Sequence, residues 1–291
     1  MKKVSMKKAV GILLALLSVA VVFAGCGADT NGSTDATSGT AAAALSGDVK
    51  TGGSTSVEKV MLALIYQFQA DNQQVTIGYD QNGSGDGIKN TISGLYEIGH
   101  SSRALKTDGT EDGLDATAYA IDGIAIVVHK SNTVANLTKE QVNGIYTGSI
   151  TNWKEVGGAD ALITVVTREE GSGTRSAFAE IVGFAEADIP AGATTQASTG
   201  EVQTAVAANQ NAIGYLSFSD VDTSKVNTVQ YEGTAISTTA LKDGSYQLKR
   251  EFFLLTKSGA ELSPAAQAFK DFVLSEAGQK IVSEKSLLPI K

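Results

Sequence analysis

The 291-residue sequence has few of the residue types that reactive and metal-binding sites use. It contains one cysteine, two histidines and three prolines. A single cysteine excludes both a disulfide framework and a thiolate metal cluster within the chain. His100 and His129 lie in a turn-like segment and at a predicted strand end, which favours surface or satisfied roles over a metal pair or a Ser-His-Asp triad. No glycine-rich run continues into Gly-Lys-Ser/Thr, so a nucleotide-binding P-loop is excluded as well.

Positive charge is also scarce. The chain has 23 basic and 31 acidic residues, for a net charge of −8. Four of the lysines lie in residues 1–25, which contain no acidic residue, so the rest of the chain has 19 basic against 31 acidic residues, or −12. This balance argues against nucleic acid and anionic membrane surfaces as partners. Any anion site must therefore rely on local dipoles and one or two arginines.

The first 25 residues are typical of a signal peptide, with a basic segment ahead of an apolar run over 12–23. Residues 23–26, Phe-Ala-Gly-Cys, resemble a bacterial lipobox with phenylalanine in place of the usual leucine. We expect Cys26 to carry a lipid anchor that holds the protein on the outer face of the cytoplasmic membrane, in a Gram-positive cell. Residues 26–48 are small and polar, which predicts a flexible tether.

Strand and helix patterns alternate through the rest of the chain. A helical apolar spacing covers 56–70, where Thr55 or Ser56 is placed to cap the helix. The apolar run 121–128 is typical of a buried strand in a parallel sheet. Ser263 and Pro264 are typical of the start of a helix, here predicted to be long. The alternation predicts an α/β fold with mostly parallel sheets, in which ligands bind beyond the carboxyl ends of strands.

Three runs of Gly, Ser and Thr precede helical patterns, at 52–56, 83–87 and 171–174. A helix start presents unpaired backbone N–H groups and a partial positive charge. Glycine lets a ligand approach the backbone, and hydroxyls add short hydrogen-bond donors. With Arg168 just ahead of the third run, the pattern predicts a small oxyanion held between several helix N-termini.

Four segments, 51–57, 82–89, 98–105 and 168–175, resemble bacterial phosphate-binding lipoproteins, the substrate-binding components of the high-affinity phosphate ABC transporter. The resemblance implies a two-lobed fold of the periplasmic-binding-protein type (type II), with the ligand in the cleft between the lobes. One lobe would comprise 49–122 and 250–291, the other 123–249. It also implies inorganic phosphate as the ligand, transporter permease subunits as partners, no cofactor, no metal and no enzymatic activity. We expect a monomer attached to the membrane only by its lipid.

Carried over by position, the implied phosphate ligands are Thr55, Ser56, Ser84, Ser102, Arg168, Ser172, Gly173 and Thr174. Ser102 departs from the family, since some members have a carboxylate there that accepts the proton of monohydrogen phosphate and so excludes sulfate. Asp86 and Glu170 are alternative proton acceptors. Arg103 is either a second charged ligand or the partner of a structural carboxylate such as Asp122, and we favour the ion pair.

Three other functions remain open. The serine at position 102 leaves another tetrahedral oxyanion, such as sulfate, molybdate or tungstate, as an alternative ligand. Ser56 and Lys59 fit a Ser-x-x-Lys pattern, and Lys257-Ser258-Gly259 fits a Lys-Ser/Thr-Gly box, as in serine acyl-transferring enzymes, but the third element of that set is absent. A receptor that signals without transport would share the same ligand site.

Overall fold

The structure is a computed structural model that describes residues 44–290. The predicted signal peptide, Cys26 and most of the predicted tether lie outside the described residues. The first strand begins at Ser46, so the last three residues of the predicted tether belong to the fold. Within the described part of the chain, no helix combines the length and the apolar character needed to cross a membrane.

Residues 44–290 contain eleven strands and eight α-helices. The strands are β1 Ser46–Gly53, β2 Gln74–Gln81, β3 Ile98–Ser101, β4 Leu114–His129, β5 Asn136–Leu137, β6 Thr164–Arg168, β7 Thr194–Gln196, β8 Ala212–Ser217, β9 Val226–Tyr231, β10 Lys249–Lys257 and β11 Leu288–Pro289. The helices are α1 Glu58–Asp71, α2 Ser84–Ile92, α3 Lys139–Thr147, α4 Gly173–Val182, α5 Thr199–Ala208, α6 Thr238–Lys242, α7 Pro264–Leu274 and α8 Glu276–Glu284. Strands and helices mostly alternate as predicted, apart from the consecutive strands β3–β5 and β8–β9 and the consecutive helices α7 and α8.

Strand pairing follows the order β2-β1-β3-β10-β4-β8-β6-β7. Strands β1, β2 and β3 are parallel to each other, as are β6, β7 and β8. The long strand β4 is antiparallel to β8, β9 and β10. The predicted parallel strand over 121–128 is therefore buried but antiparallel, because an apolar run indicates that both faces are covered and carries no information about direction.

The apolar side chains form three clusters. Met61 and Phe269 belong to a first cluster, whose buried members come from 49–120 and 252–287. Phe178 and Tyr215 belong to a second, and Val202 to a third; the buried members of both come from 124–248. This grouping follows the chain segments assigned to the two lobes, whose boundaries stay a prediction.

Two predicted helix starts have different outcomes. Ser263 caps α7, since its hydroxyl accepts a hydrogen bond from the Ala266 N–H at 3.3 Å, with Pro264 as the first helical residue. The long C-terminal helix is instead divided, because Ser275 ends α7 and caps α8. At α1, neither Thr55 nor Ser56 is the cap: Val57 occupies that position and no described side chain caps the helix. The two hydroxyls are therefore available for other contacts.

Candidate functional site

A group of buried polar residues lies where loops leave the parallel strands and enter helices. Strands β1, β2, β3, β6 and β7 each end within a few residues of this group. Each of its polar side chains is less than a tenth exposed: Ser54, Thr55, Ser56, Ser84, Ser102, Arg168, Ser172, Thr174 and Thr199. Because burial of hydroxyls and a guanidinium is costly without hydrogen-bond partners, these side chains are expected to contact one another.

Three chain segments meet through hydroxyl contacts at the centre of this group. Ser56 Oγ lies 2.8 Å from Thr174 Oγ1 and 2.9 Å from Thr199 Oγ1. Thr55 Oγ1 lies 3.2 Å from Thr199 Oγ1. Residues more than a hundred positions apart are thus joined by rotatable O–H groups, each of which can donate or accept.

A second set of hydroxyls adjoins the first. Ser54 Oγ donates to Ser102 Oγ at 2.9 Å, and Ser84 Oγ accepts from the Ser102 N–H at 3.1 Å. Gly173 joins the two sets, because a Cβ at this residue would lie 2.3 Å from Ser84 Oγ and 2.7 Å from Ser102 Oγ. Only glycine allows the start of α4 to pack this closely against the loops after β2 and β3.

Arg168 brings a positive charge to the central group. Glu169 occupies one edge of the guanidinium, accepting from Nε at 2.8 Å and from Nη2 at 2.7 Å. Nη2 also donates to the Ala197 carbonyl at 3.3 Å, and Nη1 donates to Thr199 Oγ1 at 3.4 Å. Arginine is permanently charged, and its guanidinium nitrogens donate hydrogen bonds but do not accept them. The Nη1 group that faces the hydroxyl cluster therefore offers it only donors.

Tyr215 supports Arg168 from the sheet. Its hydroxyl lies 2.8 Å from Thr167 Oγ1 and accepts from the Arg168 N–H at 3.2 Å. Its ring stacks on Phe178 with a centroid distance of 4.2 Å. Burial raises the pKa of Tyr215 to about 12, so the phenol is neutral and serves as a fixed support at physiological pH.

Ser172 has the role of a helix cap. Its hydroxyl accepts from the Arg175 N–H at 3.4 Å, at the N-cap position of α4. The structure brings the other predicted ligands together, and their role as phosphate ligands stays a prediction. The alternative proton acceptors Asp86 and Glu170 lie outside the buried group.

The prediction for Arg103 is right about an ion pair and wrong about its partner. Arg103 pairs with Glu111, with Nη1 to Oε2 at 2.8 Å and Nη2 to Oε1 at 2.5 Å. Asp122 pairs instead with Arg250, whose Nη2 lies 3.0 Å from Oδ2. The reason is topological: β10 aligns Arg250 directly opposite Asp122 on β4, a pairing across 128 residues that the sequence does not reveal.

A group of charged side chains, of which Asp122 and Arg250 are buried, lies beside the hydroxyls. Arg250 Nη1 donates to the Ser102 carbonyl at 3.4 Å, and Lys59 Nζ donates to the Ser219 carbonyl at 2.5 Å. Asp220 ends the short 3₁₀ helix Phe218–Asp220, and its buried Oδ2 has no hydrogen-bond partner among the described residues. Burial, together with the nearby charge of Asp122, raises the pKa of Asp220 to about 7.

His100 lies beneath the loop after β1. It is fully buried, its Nε2 contacts the Thr51 hydroxyl, and its carbonyl accepts from the Ser54 N–H at 3.1 Å. Burial lowers the pKa of His100 to about 3, so its ring is neutral at physiological pH. In the described part of the chain, no three His, Cys, Asp or Glu residues are close enough together to hold a metal ion.

The Ser-x-x-Lys pattern does not form a catalytic pair. Lys59 is directed to the Ser219 carbonyl, and the Ser56 hydroxyl contacts two threonines. In the second box, Ser258 donates to Asp115 at an exposed site. Patterns of three or four common residues arise without a shared site, and these two are examples.

Sequence reasoning missed two members of the group, Ser54 and Thr199. Ser54 lies inside the first Gly/Ser/Thr run, so its hydroxyl was a visible candidate. Thr199 is the first residue of α5, but no arginine or glycine-rich run precedes it. Thr199 reaches the site because β7 pairs in parallel with β6, with Gln196 opposite Arg168.

The comparisons with known proteins first give a class. Residues 38–277 match the family model described as the PBP superfamily domain. Together with the fold and the buried polar site at the strand ends, this match defines an α/β ligand-binding protein.

Individual relatives narrow the class. The phosphate-binding protein PstS of Bacillus subtilis is 30% identical over 96% of this chain and 92% of its own length. A Clostridium perfringens structure, described as a phosphate ABC transporter substrate-binding protein with bound phosphate, is 43% identical with a TM-score of 0.81, covering 84% of this chain and 100% of that one. A Vibrio cholerae phosphate transport receptor is 34% identical with a TM-score of 0.70, covering 82% and 99%. The chain belongs to the PstS family of phosphate-binding proteins, which bind for transport and are not enzymes.

Proposed function

We propose that this protein binds inorganic phosphate outside the cytoplasmic membrane and delivers it to an ABC transporter for import. The observation that carries the proposal is the hydroxyl cluster of Ser56, Thr174 and Thr199 against the Nη1 side of Arg168. A small oxyanion is costly to bury unless its oxygens each find donors, and this group offers donors from several directions at once. The relatives described as phosphate-binding proteins support the same ligand.

The charge balance of the site fits an anion that is held mainly by neutral donors. Arg168 supplies one positive charge, and Glu169 offsets it at 2.7 Å. Backbone N–H groups and hydroxyls must therefore supply most of the stabilisation, as the acidic composition of the chain requires. Hydrogen bonds to a charged acceptor are roughly twice as strong as neutral ones, so a set of them suffices for tight binding.

The proposed lobes would close over the ligand. Thr55, Ser56, Ser84 and Ser102 belong to the first proposed lobe, and Arg168, Gly173 and Thr174 to the second. Ser56 of the first set already lies 2.8 Å from Thr174 of the second, so an anion held there would be bound by both sets at once, as in a closed form. We propose further that Cys26 anchors the chain by a lipid, that the protein acts as a monomer, and that permease subunits receive the ligand from the closed form.

Isothermal titration of the purified protein in phosphate-free buffer tests the function. We expect tight phosphate binding by the parent and a loss of about 2–5 kcal/mol of binding free energy in Arg168→Ala, because a buried charge-assisted contact is removed. Arg168→Lys is the matched control, since it keeps the charge and loses the planar fork. If Arg168→Ala binds phosphate as tightly as the parent, the site assignment is wrong.

A second ligand class is tested in the same titration. Glu169 is the carboxylate that contacts Arg168, and both of its oxygens accept from that guanidinium. Ser102, where some relatives have a carboxylate, can donate as well as accept. Sulfate and molybdate are therefore titrated beside phosphate. Tighter binding of either would keep the site and change the proposed ligand.

A further inference from the structure

Thr199 occupies a position in the site that the ligand set expected from the sequence does not include. It is the first residue of α5, it is 3% exposed, and it follows β7 rather than any of the glycine-rich runs. Its Oγ1 lies within hydrogen-bond distance of Thr55, Ser56 and Arg168. It thus contacts both the segment after β1 and the guanidinium at the end of β6.

The hydrogen-bond directions around Thr199 follow from its neighbours. The Nη1 group of Arg168 has only protons to offer, so it donates to Thr199 Oγ1. The Thr199 N–H in turn donates to Thr55 Oγ1 at 3.3 Å. With one lone pair of its oxygen taken by the guanidinium, the Thr199 hydroxyl has its own proton free to point toward Ser56, away from Arg168. A hydroxyl that accepts from a cation becomes a better donor.

The other contacts of Arg168 give Thr199 a second role. Glu169 holds the Nε and Nη2 edge, and the Ala197 carbonyl takes Nη2 as well. Among the described residues, Thr199 is the side chain that accepts from Nη1, so it fixes the orientation of the guanidinium on the side of the hydroxyl cluster.

We propose that Thr199 is a further anion-binding residue of this site: its hydroxyl donates to an oxygen of the bound oxyanion while it orients Nη1 of Arg168. The inference rests on the proposed function, because it assigns one more ligand to the same anion. It implies that binding depends on α5 as well as on the segments that carry the recognisable motifs.

Three variants of the full chain, purified in detergent and titrated with inorganic phosphate, test the proposal. Thr199→Val keeps the shape and removes the hydroxyl, and we expect a 10- to 100-fold weaker affinity, as for the loss of a hydrogen bond to a charged group. Thr199→Ser restores the hydroxyl and should bind within about threefold of the parent. Thr204→Val is the matched control: Thr204 lies on the same helix, is exposed, and its hydroxyl donates to the Gly200 carbonyl.

Denaturant unfolding of each ligand-free variant separates binding from folding. The proposal expects both Thr199→Val and Thr204→Val to remain fully folded under the titration conditions while only the first loses affinity. It is overturned if Thr199→Val binds phosphate like the parent, or if the Ser variant fails to restore binding. A parent protein that binds no phosphate would refute the proposed function itself, which is a different result from a normal parent with an unaffected Thr199→Val variant.

Discussion

Replacement of Asp220 by asparagine tests the electrostatics of the buried charges beside the site. The carboxyl group is surrounded by Lys59, Asp122, Arg250 and Glu58, of which the two acids raise its pKa and the two bases lower it. Burial is the largest cause, and the pKa rises from 3.8 to about 7. An asparagine side chain has nearly the same size and does not titrate. The Asp220→Asn change therefore shows how the ionisation of this one group affects the free energy of unfolding.

The sign and size of the effect follow from proton linkage. Between about pH 4 and pH 7, the folded state holds a proton on Asp220 that the unfolded state has lost. The free energy of unfolding therefore falls as the pH rises through this window, and the loss is complete above pH 7. A pKa difference of about 3 corresponds to at most about 4 kcal/mol, and relaxation around the charge reduces this to about 2–4 kcal/mol.

Urea unfolding in phosphate-free buffer at several pH values measures the difference between parent and variant. We expect Asp220→Asn to be about as stable as the parent near pH 4.5 and more stable by about 2–4 kcal/mol at pH 8. Phosphate must be absent, since a ligand that binds only the folded state stabilises it.

The control is Asp222→Asn. Asp222 lies at the surface, and hydrogen bonds from Ser224 lower its pKa, so the parent carboxylate contributes stability above its unfolded pKa that is lost as the pH falls. Because this loss occurs only below about pH 4, the stability difference between Asp222→Asn and the parent should stay constant from pH 4.5 to pH 8. A difference between the Asp220→Asn protein and the parent that stays constant from about pH 4.5 to pH 8 would refute the reasoning.

Two further predictions concern the anion site. Gly173→Ala should weaken phosphate binding by about 10- to 100-fold, because the new Cβ would lie 2.3 Å from Ser84 Oγ and would force the loops apart. The control is Gly200→Ala, which should bind phosphate like the parent because nothing lies within 4 Å of the added carbon. Ser102→Asp should weaken sulfate binding more than phosphate binding, since only monohydrogen phosphate can donate a proton to the new carboxylate. Competition titration against Ser102→Asn, which has the same shape without the charge, checks this, and an equal loss for both anions would contradict it.

The sequence was a good guide to the parts of the site that lie in local motifs. The run at 171–174 with Arg168 ahead of it, and the hydroxyls at 55 and 56, converge as the helix-start pattern predicts. The α/β class also follows from alternation alone. The motifs themselves are local patterns, and they are brought together because loops that follow parallel strands meet at the same edge of the sheet.

The ion-pair partners and the position of Thr199 could not be predicted from the sequence, because they depend on how strands and loops pair in the fold. The partner of Asp122 lies 128 residues away on an antiparallel strand, and Arg103 finds Glu111 through a loop with no regular spacing. Thr199 joins the site only because β7 pairs with β6 in a register that aligns Gln196 with Arg168. Neither strand direction nor register can be deduced from apolar periodicity, so these contacts required the fold.

Thr55 and Ser56 do not cap α1, although the sequence pattern predicts that one of them does. A hydroxyl just before a helix satisfies a backbone N–H in most proteins, and that is the outcome for Ser172, Ser263 and Ser275. At α1 no described side chain accepts a hydrogen bond from the N–H groups of the first turn. A helix start that forgoes its cap loses about 1 kcal/mol. The compensation lies in the contacts of Ser56 with Thr174 and Thr199, which join distant segments and, on the proposed function, surround an anion. The uncapped start of α1 is thus the local cost of placing two hydroxyls in the site.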